Sequence, residues 1–532
     1  MDHLKRRNFL TAAAGVAALA TLTTVDAPAA LAATAPHQSC EPDPSTPKHQ
    51  LRGMWIATVV NIDWPSKPGL SADEQKRELV SLYDTAVERG YNTVVLQVRP
   101  TADAFWPSEH EPWSKYLTGT QGKDPGYDPL GFAIEEAHAR DLRIHGWFNP
   151  HRVSMDTDLD ALVPDHPARL HPDWVVAYGP KLYYNPGIPA VTEFNIAAIM
   201  DAVTRYDLDG VHFDDYFYPY PVGTQEFPDD DTYATYGADF DDKAEWRRDN
   251  INRLVKGLVA AIHEAKPHVQ FGVSPFAVWR NIATDPLGSD TTAGAECYDD
   301  LYADTRRWLR EEWIDYLCPQ IYWAEGFAPA DYDVLVDWWA RQVRESGSHT
   351  RLYIGQATYK IGTSTQSPEW IDDPQEMSNH LTKNQEYPEV SGDIFYNASS
   401  VVADLLGATS LVTAQHYQRP ALQPTMLWLD SRAPAPVVSL HAVGDGNPVT
   451  LSWRSFGRPA STFAIYRFDG SSEPRDCDFV DARHLVATVA AGTPSGGTRW
   501  TDQTATPGER YTYVVTAVDE LGNESRRRAT RV

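Results

Sequence analysis

Asp214 and Asp215 stand side by side in Asp209-Gly210-Val211-His212-Phe213-Asp214-Asp215-Tyr216-Phe217-Tyr218-Pro219. Carboxyl groups suit paired acid/base work. Val211 and Phe213 alternate with His212 and Asp214, which is the period of a β-strand. His212 and Asp214 therefore share one face, and Asp215 is the first residue free to turn either way at the strand's end. The C-terminal end of a parallel strand is where α/β enzymes keep their chemistry.

The elements that would carry this pair follow from hydrophobic periodicity. Strand-like runs at 52–58, 93–99, 143–149, 209–214, 270–275, 315–323, 351–356 and 392–397 alternate with helix-like runs. Ser71 and Glu74 have capping-box spacing, Leu79, Leu82, Ala86 and Val87 form the stripe that follows, and Gly90 closes that helix. Further helices are expected near 129–140, 190–206, 243–266, 298–311, 332–345 and 375–384, with a long insertion at 221–242. Eight strand–helix units with no hairpin signals between them predict an α/β fold, a (β/α)8 TIM barrel. A doubly wound sheet would more often show a Gly-rich phosphate loop after its first strand, and there is none.

A barrel of this kind gathers what its strand ends deliver. Those residues are Asp63, Trp64, Arg99, Asp103, His145, Trp147, Asn149, Arg152, His212, Asp214, Asp215, Tyr216, Trp279, Arg280, Gln320, Tyr322, Trp323, Glu325, Gln356, Tyr359, Tyr396 and Asn397. Acids, amides and aromatics in this mixture suit a polyol, with hydrogen bonds to hydroxyls and flat faces under sugar rings. Glycoside hydrolysis uses two carboxyl groups across the scissile bond. Asp214 and Asp215 are too close in sequence to flank a substrate by themselves, so Asp103 or Glu325 is expected to partner one of them. Expected substrate contacts are Asp63, Arg99, His145, Trp147, Asn149, Arg152, His212, Tyr216, Arg280, Gln320, Tyr322 and Trp323. No cofactor and no metal are expected.

A net charge of −27 over 532 residues argues against nucleic-acid phosphate as a partner. Lys5-Arg6-Arg7-Asn8-Phe9-Leu10, an apolar run to Leu22 and a small-residue cleavage site at Ala30-Leu31-Ala32 read as a twin-arginine signal peptide over 1–32. A linker at 33–49 follows. The expected destination is extracellular, at or near the cell wall, and no other run is long enough to span a membrane. Cys40, Cys297, Cys318 and Cys477 are too few for a disulfide scaffold, and no spacing resembles a zinc site. An oxidising destination permits a Cys297–Cys318 bond.

The composition shifts at Ala433-Pro434-Ala435-Pro436, which divides a domain over 50–432 from one over 433–532. The second carries short alternating strands and no helix, the pattern of a β-sandwich. Trp453, the strand at 463–467 and Tyr511-Thr512-Tyr513 resemble a fibronectin type III domain.

Arg52-Gly53-Met54-Trp55, Asp63-Trp64-Pro65, Gln97-Val98-Arg99-Pro100, Asp103-Ala104, Pro112-Trp113-Ser114, Gly146-Trp147-Phe148-Asn149-Pro150 and His212-Phe213-Asp214-Asp215-Tyr216 resemble the bacterial glycosyl-hydrolase-like family ten over about 50–417. The resemblance implies a (β/α)8 barrel that cleaves peptidoglycan glycan strands stripped of stem peptides. It also implies a catalytic Asp at the Asp214-Asp215 position. Arg is the preferred partner of a carboxylate, so Arg99, Arg152 or Arg280 is expected to bind the lactyl group of a muramic acid unit. Two other readings use the same residues. One is a metal-dependent carbohydrate deacetylase with His145, His151, His212 and Asp214 as ligands. The other is a cell-wall-binding protein without activity.

Overall fold

A computed structural model describes residues 40–444, 447–471, 473–492 and 497–532. The twin-arginine stretch and the start of the expected linker lie outside the described residues. Eight parallel strands form the first layer: β1 (Leu51–Ile56), β2 (Thr93–Arg99), β3 (Arg143–Phe148), β4 (Gly210–Phe213), β5 (Gln270–Val273), β6 (Tyr316–Leu317), β7 (Arg351–Gln356) and β8 (Val390–Phe395). They close into a barrel in which each strand pairs with the next and β8 returns to β1.

The helices that follow the strands bury one stripe each. In α1 (Ala72–Glu88), Leu79, Tyr83 and Ala86 recur at helical spacing and are buried. Ser71 and Glu74 form the reciprocal capping box, worth about 1 kcal/mol. The chain continues through α2 (Pro129–Ala139), α3 (Pro189–Arg205), α4 (Lys243–Ala265), α5 (Tyr332–Ser346), α6 (Glu376–Asn384) and α7 (Ala408–His416).

Three local expectations are corrected. The sixth strand is two residues long instead of nine: Pro319, which lacks a backbone N–H, interrupts the ladder, and Gln320 pairs beyond it only as isolated bridges to Phe276 and Gly355. The helix expected at 298–311 is two short pieces, Cys297–Asp300 and Thr305–Arg310, the second capped by Asp304, which accepts from the Arg307 N–H at 3.2 Å. Hairpin pairing does occur between barrel strands. Val175–Tyr178 and Lys181–Tyr184 pair antiparallel across Gly179-Pro180, and Arg152–Ser154 joins them after β3. Gly179 takes φ 55°, which the turn requires.

The barrel interior is filled rather than open. Gly210 and Gly272 lack the Cβ atoms that would collide with the rings of His145 and Tyr316. Those rings occupy the interior with Trp55, Trp147 and Tyr353, and Met426 and Leu521 close the cluster.

Residues 433–532 form two antiparallel sheets. Their strands are β9 (Val438–Val443), β10 (Val449–Arg454), β11 (Thr462–Asp469), β12 (Leu485–Ala490), β13 (Gly497–Asp502), β14 (Tyr511–Val518) and β15 (Arg528–Arg531). The sheet orders are β9-β10-β13 and β12-β11-β14-β15. Leu451 and Trp453 of one sheet meet Phe463, Ile465, Tyr513 and Val515 of the other in a shared core. Barrel and sandwich belong to one compact unit, Glu41–Val532. They meet at the N-terminal ends of the barrel strands. There Arg143, the first residue of β3, donates to Ser461, and Thr462 donates to Asp141. The sandwich is therefore on the face opposite the C-terminal strand ends.

Cys297 and Cys318 are separate buried thiols, so the permitted bond between them is not made. Cys40 and Cys477 are disulfide-bonded. Among the described residues no helix is long and apolar enough to cross a membrane.

Candidate active site

A cavity of about 420 Å³ opens at the C-terminal end of the barrel. It is lined by Trp55, Trp147, Asp214, Asp215, Tyr216, Tyr220, Ser274, Phe276, Gln320, Tyr322, Trp323, Tyr359, Lys360, Gln366 and Tyr396. Its size is that of a small-molecule site, and its walls are mostly aromatic. Tyr322 stacks near Tyr396 with ring centroids 6.3 Å apart, and Phe276 meets Trp323 edge-on at 5.5 Å.

β4 carries Asp214 and Asp215 to the floor of this cavity, at 5% and 8% exposure. The two neighbours have different surroundings. Asp214 Oδ2 accepts from Asn149 Nδ2 at 2.6 Å and from Trp147 Nε1 at 3.0 Å, and Oδ1 accepts from the Tyr216 N–H at 3.0 Å. Burial pushes its pKa up, and the nearby Arg152 guanidinium and these three donors oppose that shift. Asp215 accepts at Oδ1 from Gln320 Nε2 at 3.1 Å and at Oδ2 from the Tyr220 hydroxyl. Burial, reinforced by the charge of Asp214, raises its pKa to about 7. The pair thus sets Asp214, whose three donors and Arg152 favour its ionised form, next to a carboxyl that titrates near neutral pH.

Asn149 cannot turn its amide the other way. Its Oδ1 accepts from Gln97 Nε2 at 2.7 Å and from an Arg152 amino group at 2.9 Å, which leaves Nδ2 aimed at Asp214. Gln97 is held in turn because its Oε1 accepts from the N–H groups of Thr58 and Val59, each at 2.9 Å. Arg152 also donates to the Pro100 carbonyl at 2.9 Å and lies 5.2 Å from the Tyr216 ring centroid.

Below the cavity, His212 Nε2 accepts from Trp55 Nε1 at 3.1 Å. The proton of His212 is therefore on Nδ1, which donates to the Tyr316 hydroxyl at 2.9 Å. That hydroxyl donates to His145 Nδ1 at 2.9 Å. Burial lowers the pKa of both imidazoles, that of His145 to about 4, so both rings are neutral. The chain of bonds fixes the Trp55 ring, which faces the cavity.

Of the residues expected from sequence, Asp214, Asp215, Trp147, Tyr216, Gln320, Tyr322, Trp323, Tyr359 and Tyr396 meet at the cavity. Asn149, Arg152, His145 and His212 support it from behind. The others are elsewhere. Asp103 is fully buried, and its Oδ1 accepts from the Thr101 N–H at 3.2 Å, so it serves its own loop. Glu325 does not line the cavity. Its backbone N–H donates to Glu376 at 2.9 Å, and Asp333 and Glu376 add to the burial that raises its pKa to about 7. Neither acid stands across from Asp214 and Asp215. Asp63 ties β1 to β8, accepting from the Ala57 N–H at 2.7 Å and from Asn397 Nδ2 at 2.6 Å.

The arginines expected to take a carboxylate are already engaged. Arg99 is fully buried against Glu111 and also donates to the carbonyls of Asn149 and Pro150 and to Asn195. Arg280 pairs with Asp299 and Asp285. The deacetylase ligand set does not converge either. His145 and His212 hold Tyr316, and His151 Nδ1 bonds the Phe217 carbonyl at 3.0 Å. Among the described residues no group of three His, Cys, Asp or Glu is arranged to hold a metal ion.

Trp55, Tyr220, Ser274, Phe276, Lys360 and Gln366 line the cavity without having been singled out. Trp55 had a signal, since it opens the first strand motif. Lys360 and Gln366 come from the loop after β7 and had none.

The model of the family described as "Glycosyl hydrolase-like 10" matches residues 50–372. The chain belongs to the glycosyl hydrolase-like 10 family. It is 49% identical over 484 residues to the glycosyl hydrolase YngK of Bacillus subtilis, covering 90% of this chain and 92% of that protein. It is 43% identical over 365 residues to the glycosyl hydrolase DigH of Escherichia coli K12, covering 65% of this chain and 82% of that protein. This member of the glycosyl hydrolase-like 10 family is a glycoside hydrolase. Among solved structures, the PgaB (BpsB) glycoside hydrolase domain of Bordetella bronchiseptica aligns at a TM-score of 0.45 and 12% identity, over 69% of this chain and 99% of that one.

Proposed function

We propose that this glycoside hydrolase cleaves an amino-sugar polymer of the cell wall, peptide-free peptidoglycan strands, with Asp215 as general acid. The observation that carries this reading is the unequal pair at the floor of an aromatic cavity: Asp214, held by three donors and near Arg152, beside Asp215, whose pKa burial and the charge of Asp214 raise to about 7. Asp215 gives its proton to the glycosidic oxygen as the bond breaks. Positive charge then gathers at the anomeric carbon, the Asp214 carboxylate beside it lowers the energy of that transition state, and water bonds that carbon while returning a proton to Asp215. The hydrogen bonds from Trp147, Asn149 and the Tyr216 N–H keep Asp214 aimed without reorganisation. Trp55, Trp147 and Trp323 offer flat apolar faces for pyranose rings.

The C-terminal sandwich reads as fibronectin type III-like on its strand order, three strands against four. Its place behind the barrel leaves the cavity mouth to the substrate. Export by the twin-arginine route is supported by the Arg6-Arg7 pattern and by disulfide-bonded cysteines, which suit an oxidising compartment.

Mass spectrometry of products tests the function. The protein and its Asp214→Asn and Asp215→Asn forms are incubated with peptide-free peptidoglycan strands and with chitin oligomers. Fragments from the parent that vanish in both variants are expected. Intact strands after incubation with the parent would end the peptidoglycan reading.

A further inference from the structure

Lys360 is a cation at the cavity wall with no counter-ion among the described residues. It ends the short 3-10 turn Thr358–Lys360 after β7 and is half-buried. Its Nζ donates to the Tyr322 carbonyl and to Gln366 Oε1, the latter at 2.5 Å, and lies 6.0 Å from the Tyr359 ring centroid. Both acceptors are neutral, and Lys360 forms no ion pair among the described residues. An ammonium has three N–H donors, so one remains for the cavity. In a chain of net charge −27, with Arg99 and Arg280 paired to carboxylates, Lys360 lines the cavity as a cation without an ion pair among the described residues. Burial costs such a charge stability unless a partner arrives. No nearby carboxylate opposes this, and its pKa falls to about 8 from desolvation alone.

We propose that Lys360 recognises a carboxylate carried by a sugar bound in the cavity, and so selects acidic glycans over neutral ones. The inference rests on the glycan-cleaving reading above and names the substituent its substrate must bear. Tyr322 and Gln366 act as a cradle that holds the ammonium in place. The carboxylate completes its third bond and supplies the missing counter-charge. Two sugars offer that chemistry: one with an acidic ether substituent, as on muramic acid, and one with a carboxyl at C6, as on a uronic acid.

Calorimetric binding separates this inference from turnover. The Asp215→Asn protein is titrated with a short peptide-free peptidoglycan fragment, and with the same fragment after its carboxyl groups are reduced to alcohols. A uronic-acid oligomer forms a third arm. The intact fragment is expected to bind about tenfold tighter than the reduced one, the scale of one charge-assisted hydrogen bond. Adding Lys360→Gln removes that ratio, and Lys360→Arg keeps part of it. Thermal melting checks that both variants remain folded. Tighter binding of the uronic oligomer would put the recognised carboxyl at C6. Equal affinity for intact and reduced fragments, or a ratio that survives Lys360→Gln, overturns the role of Lys360 even while the parent still cleaves both glycans. Fragments that are neither bound nor cleaved overturn the substrate reading and this inference with it.

Discussion

Asp214 and Asp215 are consecutive in the chain, and the charge of the first helps keep a proton on the second. Burial raises the pKa of both; Asp214 has three hydrogen bonds and the attraction of Arg152 to oppose it, while Asp215 has two side-chain donors and the added charge of its neighbour. The surroundings of Asp214 favour its ionised form more than those of Asp215 do. Most of what can be tested about catalysis follows from that division.

Asp215→Asn removes the proposed proton donor and keeps the shape. We expect kcat to fall by about 10²–10⁴, the usual worth of general acid catalysis, with KM little changed. Steady-state kinetics on glycan fragments measures both. A loss confined to KM would assign Asp215 to binding.

The pH–rate profile should be bell-shaped. Asp214 must lose its proton, and its raised pKa places the acid limb above the ordinary carboxylate value. As the proposed acid, Asp215 must keep its proton, so activity is expected to decline as pH rises through about 7. The two limbs belong to the coupled pair. An activity that stays level up to about pH 9 would contradict the assignment of Asp215 as acid.

Asn149→Ala deletes the 2.6 Å bond to Asp214. Because that bond favours the ionised form, its loss raises the pKa of Asp214 and moves the acid limb to higher pH. We expect kcat to drop by about tenfold, the worth of one charge-assisted bond. A merely structural role for Asn149 would lower thermal stability and leave the limb where it was.

Arg99→Met should show that Arg99 is structural. Removal of the guanidinium leaves Glu111 buried without its partner, at a cost of about 3–5 kcal/mol. Denaturant melts measure that loss. The preference for acidic over neutral glycans should persist in the protein that remains folded, since Arg99 does not reach the cavity.

Asp103→Asn separates a buried carboxyl from a catalyst. Burial raises the folded-state pKa of Asp103 to about 7, so its protonated form is the stable one. The stability it contributes is complete below the unfolded pKa of about 4 and is lost as pH rises through about 7. The variant should therefore melt higher than the parent at about pH 8, with a smaller difference at about pH 5, and should retain hydrolysis. Loss of hydrolysis in a folded variant would return Asp103 to the catalytic site.

The barrel could be read from the chain because its signals are local. Alternating apolar runs, the Ser71–Glu74 box and Gly90 mark strands and helix ends within a few residues of themselves. The misread pieces depended on more distant effects. Pro319 cut the sixth strand short, and the Gly179-Pro180 turn paired two segments inside a loop. The Asp pair and the aromatics of β3, β4 and β6 were legible because strand alternation and the C-terminal strand ends are enough to place them.

The sequence by itself determined the barrel, the family and the carboxylate pair, because each rests on residues close together in the chain. Tertiary structure alone decided how the other charges are used. Arg99 and Arg280 looked free in sequence, yet distant or loop-borne carboxylates neutralise them. Asp103 and Glu325 looked like partners, yet their loops carry them away from the cavity. Lys360 gave no signal, yet the turn after β7 sets it at the wall without a counter-ion. Electrostatic role depends on separation and solvent access across the fold, and neither is written in the order of residues.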